Sequence, residues 1–97
     1  AIIINSSKPA SEFKALLKGY KGRVYTCDAR TISEETLGKN FPNTPMLGAV
    51  VKVSGVMEEK AFLEAMENSF AHKFASKPEV LKGNMAALVR SMNEVKE

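Results

Sequence analysis

The 97-residue chain has one cysteine, one histidine and no long apolar run, and each scarcity removes a class of protein. Cys27 alone closes no intramolecular disulfide and builds no cysteine-based zinc or iron-sulfur site, so the expected setting is reducing and cytoplasmic. The longest apolar runs, Ile2–Ile4 and Ala49–Val51, fall far short of the ~20 residues of a membrane helix, and no charged-then-apolar signal segment opens the chain. The six glycines are scattered, with no Gly-rich phosphate loop among them. Charge of one sign is not concentrated either. Lys and Arg number 14 against 11 Asp and Glu, a formal +3 spread along the sequence, which fits a solvated surface better than a nucleic-acid footprint.

The inventory for catalysis is equally thin. His72 is expected at a helix end beside Lys73, exposed to water. Cys27 falls on an expected buried strand, where a thiol acts as a small apolar filler. The pairs Glu34-Glu35 and Glu58-Glu59 are adjacent in sequence, which points their carboxylates to different parts of a helix surface.

What the sequence does contain is centred on Asn43-Thr44-Pro45-Met46-Leu47-Gly48-Ala49-Val50-Val51-Lys52-Val53-Ser54-Gly55. Asn43 or Thr44 is suited to cap a helix, Pro45 to its first turn, and Gly55 to a left-handed stop. A body this apolar predicts a helix covered on several sides, with Gly48 and Ala49 letting a neighbour come close. The amides of Thr44 to Met46 could hold an anion, although a self-capped helix explains them as well.

Around this helix the periodicities alternate. Ala1-Ile2-Ile3-Ile4 reads as a strand buried on both faces, and a chain opening in mid-sheet is expected to be the second part of something longer. Phe13, Leu16, Leu17 and Tyr20 make one face of a helix ending near Gly19, and Arg23–Cys27 reads as a second strand. Strand, helix, strand at this length predicts a parallel βαβ crossover that needs further strands. Asp28-Ala29-Arg30 lies at the carboxyl end of the second strand, where open α/β sheets place ligands. Thr31 and Glu34 have the spacing of a capping box for a short helix ending at Gly38, as do Ser76 and Glu79 for the last helix. Between these, Phe62, Met66, Phe70 and Phe74 line an amphipathic helix. Leu81, Met85, Leu88, Met92 and Val95 then form a short seam expected to pack on the domain. The fold class is therefore α/β, an incomplete Rossmann-like parallel sheet followed by three to four helices. A helix-turn-helix around Gly55 is disfavoured, since its second helix would bring Glu58-Glu59 to DNA phosphates.

Three segments carry a resemblance: Ile3-Ile4-Asn5-Ser6, Asp28-Ala29-Arg30-Thr31-Ile32-Ser33-Glu34-Glu35-Thr36-Leu37-Gly38 and Asn43-Thr44-Pro45-Met46-Leu47-Gly48-Ala49. In order and spacing they resemble the gamma subunit, or gamma domain, of the pyruvate (2-oxoacid):ferredoxin oxidoreductases, with Phe70-Ala71-His72-Lys73 and Asn84-Met85-Ala86-Ala87 matching its later motifs. Ser33 stands where the family pattern has alanine. The family's early Gly-rich strand-turn-helix is not in this sequence, so residues 1–97 are expected to be the C-terminal part of a single gamma domain.

The resemblance implies a share in the oxidative decarboxylation of a 2-oxoacid to acyl-coenzyme A, with electrons leaving to ferredoxin or flavodoxin. It implies thiamine diphosphate and iron-sulfur clusters on other subunits, and a structural and docking role here that includes contact with coenzyme A. On that basis Asn43, Thr44 and Gly48 are expected to position subunit contacts, and Arg30 or Lys73 to meet phosphate. No catalytic residue, metal site, nucleic-acid partner or membrane partner is expected. The competing expectation is a free-standing helical protein-interaction module without enzymatic role.

Overall fold

A computed structural model describes residues 1–97. Strand β1 (Ile2–Asn5) is followed by helix α1 (Ala10–Leu16), strand β2 (Val24–Cys27) and four helices: α2 (Ala29–Leu37), α3 (Asn43–Ser54), α4 (Glu59–Lys73) and α5 (Pro78–Glu94). The two strands are parallel, with Ile2 opposite Val24 and Asn5 opposite Cys27. The βαβ unit and the four helices after it agree with the α/β expectation.

Where β2 turns away from β1 it meets the end of the chain. The amide of Thr26 donates to the carbonyl of Lys96 at 2.8 Å and the Lys96 amide returns a bond to Thr26 at 3.0 Å, an antiparallel bridge. On the other side β1 has no neighbour. Its three isoleucines are only half-buried, so the strand expected to be covered on both faces is not covered within these residues.

Helix α3 packs chiefly on α5, and α2 also packs on α5. One apolar cluster unites Val51 of α3, Phe62 and Phe70 of α4, and Leu88 and Met92 of α5. A second joins Cys27, Ile32, Ala49 and Ala87, with Ile3 against it. Ile32 and Leu88, almost fully enclosed, each contribute about 2 kcal/mol of burial free energy. The seam along α5 therefore lies on the domain, as its two-heptad length suggests. The central helix is covered less completely than its composition predicts: Thr44, Pro45, Gly48, Ala49 and Val51 are buried, while Leu47 and Val50 face solvent.

Several helix starts differ from expectation, for local reasons. α2 begins before Thr31 because Asp28 caps it, its Oδ1 accepting from the Thr31 amide at 3.2 Å, and Glu34 is drawn to Arg30 instead of closing a capping box. α3 starts on Pro42, whose carbonyl accepts from the Met46 amide at 2.9 Å; neither Asn43 nor Thr44 caps it. Lys77, without a side-chain bond, precedes α5, so the Ser76–Glu79 box does not form. α1 stops at Leu16, short of Gly19, and Leu16 itself is 77% exposed, so little burial supports a further turn. The expected left-handed stops at Gly38 and Gly55 are both present, at φ 74° and 65°.

Candidate functional site

The carboxyl end of the two strands is built from polar residues. Asn5 ends β1 and its Oδ1 accepts from the Arg30 amide at 3.3 Å, while Asp28, the residue after β2, accepts from the Thr31 amide. The positive end of α2 is thus occupied by two side-chain oxygens of the chain itself, which binds β1 to α2. A polar hollow of about 400 Å³ lies beside it, lined by Ser6, Ser7, Asp28, Asn93, Glu94 and their neighbours. Cys27 is at its floor. Burial, then the nearby carboxylates of Glu94 and Asp28, pushes the thiol up to about 11, which makes it an inert proton-bearing group at neutral pH.

A larger cleft of about 660 Å³ opens at the other end of α2. Phe41, Phe70 and Phe74 form its apolar wall, and Thr44 and Asn84 its polar floor. Lys39 Nζ stands 5.5 Å from the ring centre of Phe41 and Lys73 Nζ 5.4 Å from that of Phe74, so each ammonium rests on an aromatic face. Glu79 is the one carboxylate in the lining. The cleft combines apolar surface with two cations, a chemistry suited to an amphipathic anion.

Arg30 and Lys73 are not brought together. Arg30 is in the first turn of α2 with its Nε donating to Glu34 at 2.9 Å, whereas Lys73 lies in the cleft by Thr36 and Leu37, about 10 Å further along that helix axis. Thr44 and Gly48 are buried against α5, and Asn43 is exposed at the start of α3. Thr44 Oγ1 donates to Asn84 Oδ1 at 2.9 Å, and a Cβ on Gly48 would meet Ser91 Oγ and, at 2.9 Å, the carbonyl oxygen of Leu88. His72 is exposed, as expected for its place on α4.

Sequence reasoning missed Asn84, Lys39 and Phe41 as cleft residues. Ser33 also has more to do than a mild replacement for alanine suggests: buried, its hydroxyl donates to the Arg30 carbonyl at 2.8 Å and accepts from the Phe41 amide at 3.1 Å, fixing the loop before α3. No group of three or more His, Cys, Asp or Glu is placed to hold a metal ion. No helix is long and apolar enough to cross a membrane.

Comparison with known proteins agrees over nearly the whole sequence. The profile of the family described as pyruvate ferredoxin/flavodoxin oxidoreductase matches residues 1–94. The pyruvate synthase subunit PorC of Thermotoga maritima is 36% identical over 95 residues, 98% of this chain and 48% of the relative. The common subunit gamma of the pyruvate/ketoisovalerate oxidoreductases of Thermococcus litoralis is 33% identical over 76 residues, 78% of this chain and 41% of its own. The crystal structure of pyruvate oxidoreductase subunit PORC from T. maritima superposes with a TM-score of 0.77 and 34% identity, over 97% of this chain and 49% of that one. The chain spans about half the length of the relatives it matches. On this evidence it belongs to the pyruvate ferredoxin/flavodoxin oxidoreductase family.

Proposed function

We propose that this chain serves as part of the gamma domain of a multisubunit pyruvate (2-oxoacid):ferredoxin oxidoreductase, in a docking and structural role without catalytic groups of its own. The observation that carries the reading is the likeness of nearly the whole chain to about half of PorC, in sequence and in fold. The complex would convert a 2-oxoacid to acyl-coenzyme A and pass electrons to ferredoxin or flavodoxin. Its iron-sulfur clusters and thiamine diphosphate belong to other subunits in this reading. The single buried, proton-bearing Cys27 does not fit a cluster ligand.

Coenzyme A fits the chain only in part. Lys73, with Lys39 beside it, offers charge to a phosphate next to the three phenylalanines of the cleft, whereas Arg30 is already engaged by Glu34 and lies elsewhere. The subunit contact falls on the outward side of α3, where Asn43 is exposed; Thr44 and Gly48 act behind it by fixing how α3 sits on α5.

Affinity purification through a tag on this chain tests the reading. Iron-sulfur colour and 2-oxoacid-dependent reduction of viologen are expected to travel with it. A chain recovered without either activity or colour from cells that contain the oxidoreductase would leave the competing interaction-module reading standing.

A further inference from the structure

The cleft at the end of α2 holds two cations that no carboxylate neutralises. Lys39 and Lys73 belong to none of the chain's five ion pairs, although Glu79 lies in the same lining. Each exposed ammonium rests instead on a ring, Lys39 on Phe41 and Lys73 on Phe74. Positive charge therefore stands at the rim of an apolar wall, which the tilted Phe70–Phe74 pair continues inward with 5.9 Å between ring centres. The wall is held ready, because the Ser33 hydroxyl accepts from the Phe41 amide at 3.1 Å and fixes the loop that carries Lys39 and Phe41.

The floor has an unused donor. Asn84 lines the cleft and is only 6% exposed. Its Oδ1 takes the Thr44 hydroxyl, and of the two N–H groups on Nδ2 one goes to the Val80 carbonyl. The other has no acceptor in the chain, and a buried donor in that state favours a ligand atom that can accept from it.

We propose that this cleft binds a small organic acid of single negative charge with an aromatic or branched apolar body. Charge decides the class. Two ammonium groups and one carboxylate leave the lining with one net positive charge, which a single carboxylate neutralises. The several charges of a nucleotide cofactor would be left mostly uncompensated, with Glu79 against them. The arrangement decides how the acid lies. Its carboxylate sits at the rim with Lys39 and Lys73, its apolar body on Phe41, Phe70 and Phe74, and an acceptor at its far end takes the free N–H of Asn84. The inference goes beyond the family reading, which supplies only the assembly in which the chain is tested.

Lysine acetylation by N-hydroxysuccinimidyl acetate, followed by mass spectrometry on the full-length protein purified with its partners, tests this with phenylacetate and 4-hydroxyphenylacetate as probes. With phenylacetate at about four times its Kd, Lys39 and Lys73 should react about 5-fold more slowly, while Lys8 and Lys18, outside the cleft, keep their rates. The hydroxyl of the second acid can accept from Asn84 and should lower the concentration needed. Acetate, with no apolar body, should protect neither lysine. Phe41→Ala, at a residue 43% exposed, should raise the phenylacetate Kd about 3- to 10-fold. Lysines left unprotected by both acids overturn the proposal. So do lysines unreactive before any acid is added, since protein would then fill the cleft in the assembly. Protection by coenzyme A at lower concentration than by either acid also overturns it and gives the lysines to a phosphate. Each of these outcomes leaves the family reading in place; that reading falls instead if no oxidoreductase subunit accompanies the chain.

Discussion

Thr44 of α3 and Asn84 of α5 share a hydrogen bond of 2.9 Å in which the threonine hydroxyl donates and the amide oxygen accepts, and both residues are buried. The asparagine uses its own Nδ2 to donate to the Val80 carbonyl, also at 2.9 Å, one turn back along α5. This pair is the polar centre of the α3–α5 contact. Thr44→Val keeps the shape and removes the donor, so a buried acceptor loses its partner; the expected cost is about 1–3 kcal/mol. Urea denaturation of T44V, N84A and the double variant should give a coupling energy of about 1 kcal/mol between the two sites. Additive losses would mean that the bond is not energetically significant.

Gly48 sets the distance between the same two helices. Alanine gains about 1 kcal/mol in helix propensity at a helix interior, which by itself would stabilise α3. Here the added methyl meets Ser91 Oγ and lies 2.9 Å from the Leu88 carbonyl oxygen, and overpacking of that kind costs about 1–3 kcal/mol. The clash should win, and Gly48→Ala should lower the denaturation midpoint. Adding Ser91→Gly should restore only part of the loss, since the Leu88 backbone cannot be trimmed away.

Cys27 makes the stability of the chain sensitive to alkaline pH. Its folded value, about 11, lies above the ordinary value of 9.0, so between those two pH values the unfolded chain releases a proton that the folded chain keeps. The stabilisation from the protonated thiol is complete below about pH 9 and is lost as pH rises through 11. The melting temperature should therefore fall more steeply over that interval in the native sequence than in Cys27→Ala. In the folded state the thiol should react with iodoacetamide at pH 8 much more slowly than a free cysteine does.

Arg90 joins α2 to α5 at the surface. Its Nη1 donates to Glu35 at 2.7 Å and its Nε to Glu94 at 2.8 Å, and these two carboxylates raise its already high pKa further. The cross-helix bond to Glu35 is exposed on one side, so its contribution is modest, about 0.5–1 kcal/mol. Arg90→Lys cannot hold both carboxylates with one planar fork and should lose most of that amount. The difference from native sequence should shrink as NaCl is raised toward 1 M.

The elements that follow from periodicity were legible in the residues alone: the strand-helix-strand unit, the amphipathic α4, the seam on α5 and the glycine stops at 38 and 55. Helix starts were less so, because a cap is decided by competition among nearby acceptors. Asp28, one residue past β2, reaches the first turn of α2 before Thr31 can, and the first turn of α3, which Asn43 or Thr44 was expected to cap, has no side-chain cap. The aromatic cleft was not legible, since Lys39 and Phe41 come from the loop before α3, Lys73 from the end of α4 and Asn84 from within α5, and only the packing of the helices brings them together. Lys73 was singled out through the family motif, and Asn84 only as a letter in another. Nothing in the sequence pairs it with Thr44, 40 positions away.

The tail that folds back onto Thr26 has a consequence for association. With Lys96 seated there and Glu97 Oε2 3.6 Å from Lys14 Nζ of α1, the outer side of β2 is covered at Thr26. An open strand edge is a template for another chain, and the two bonds that Lys96 makes to Thr26 use up the backbone groups that a foreign strand would need at that point.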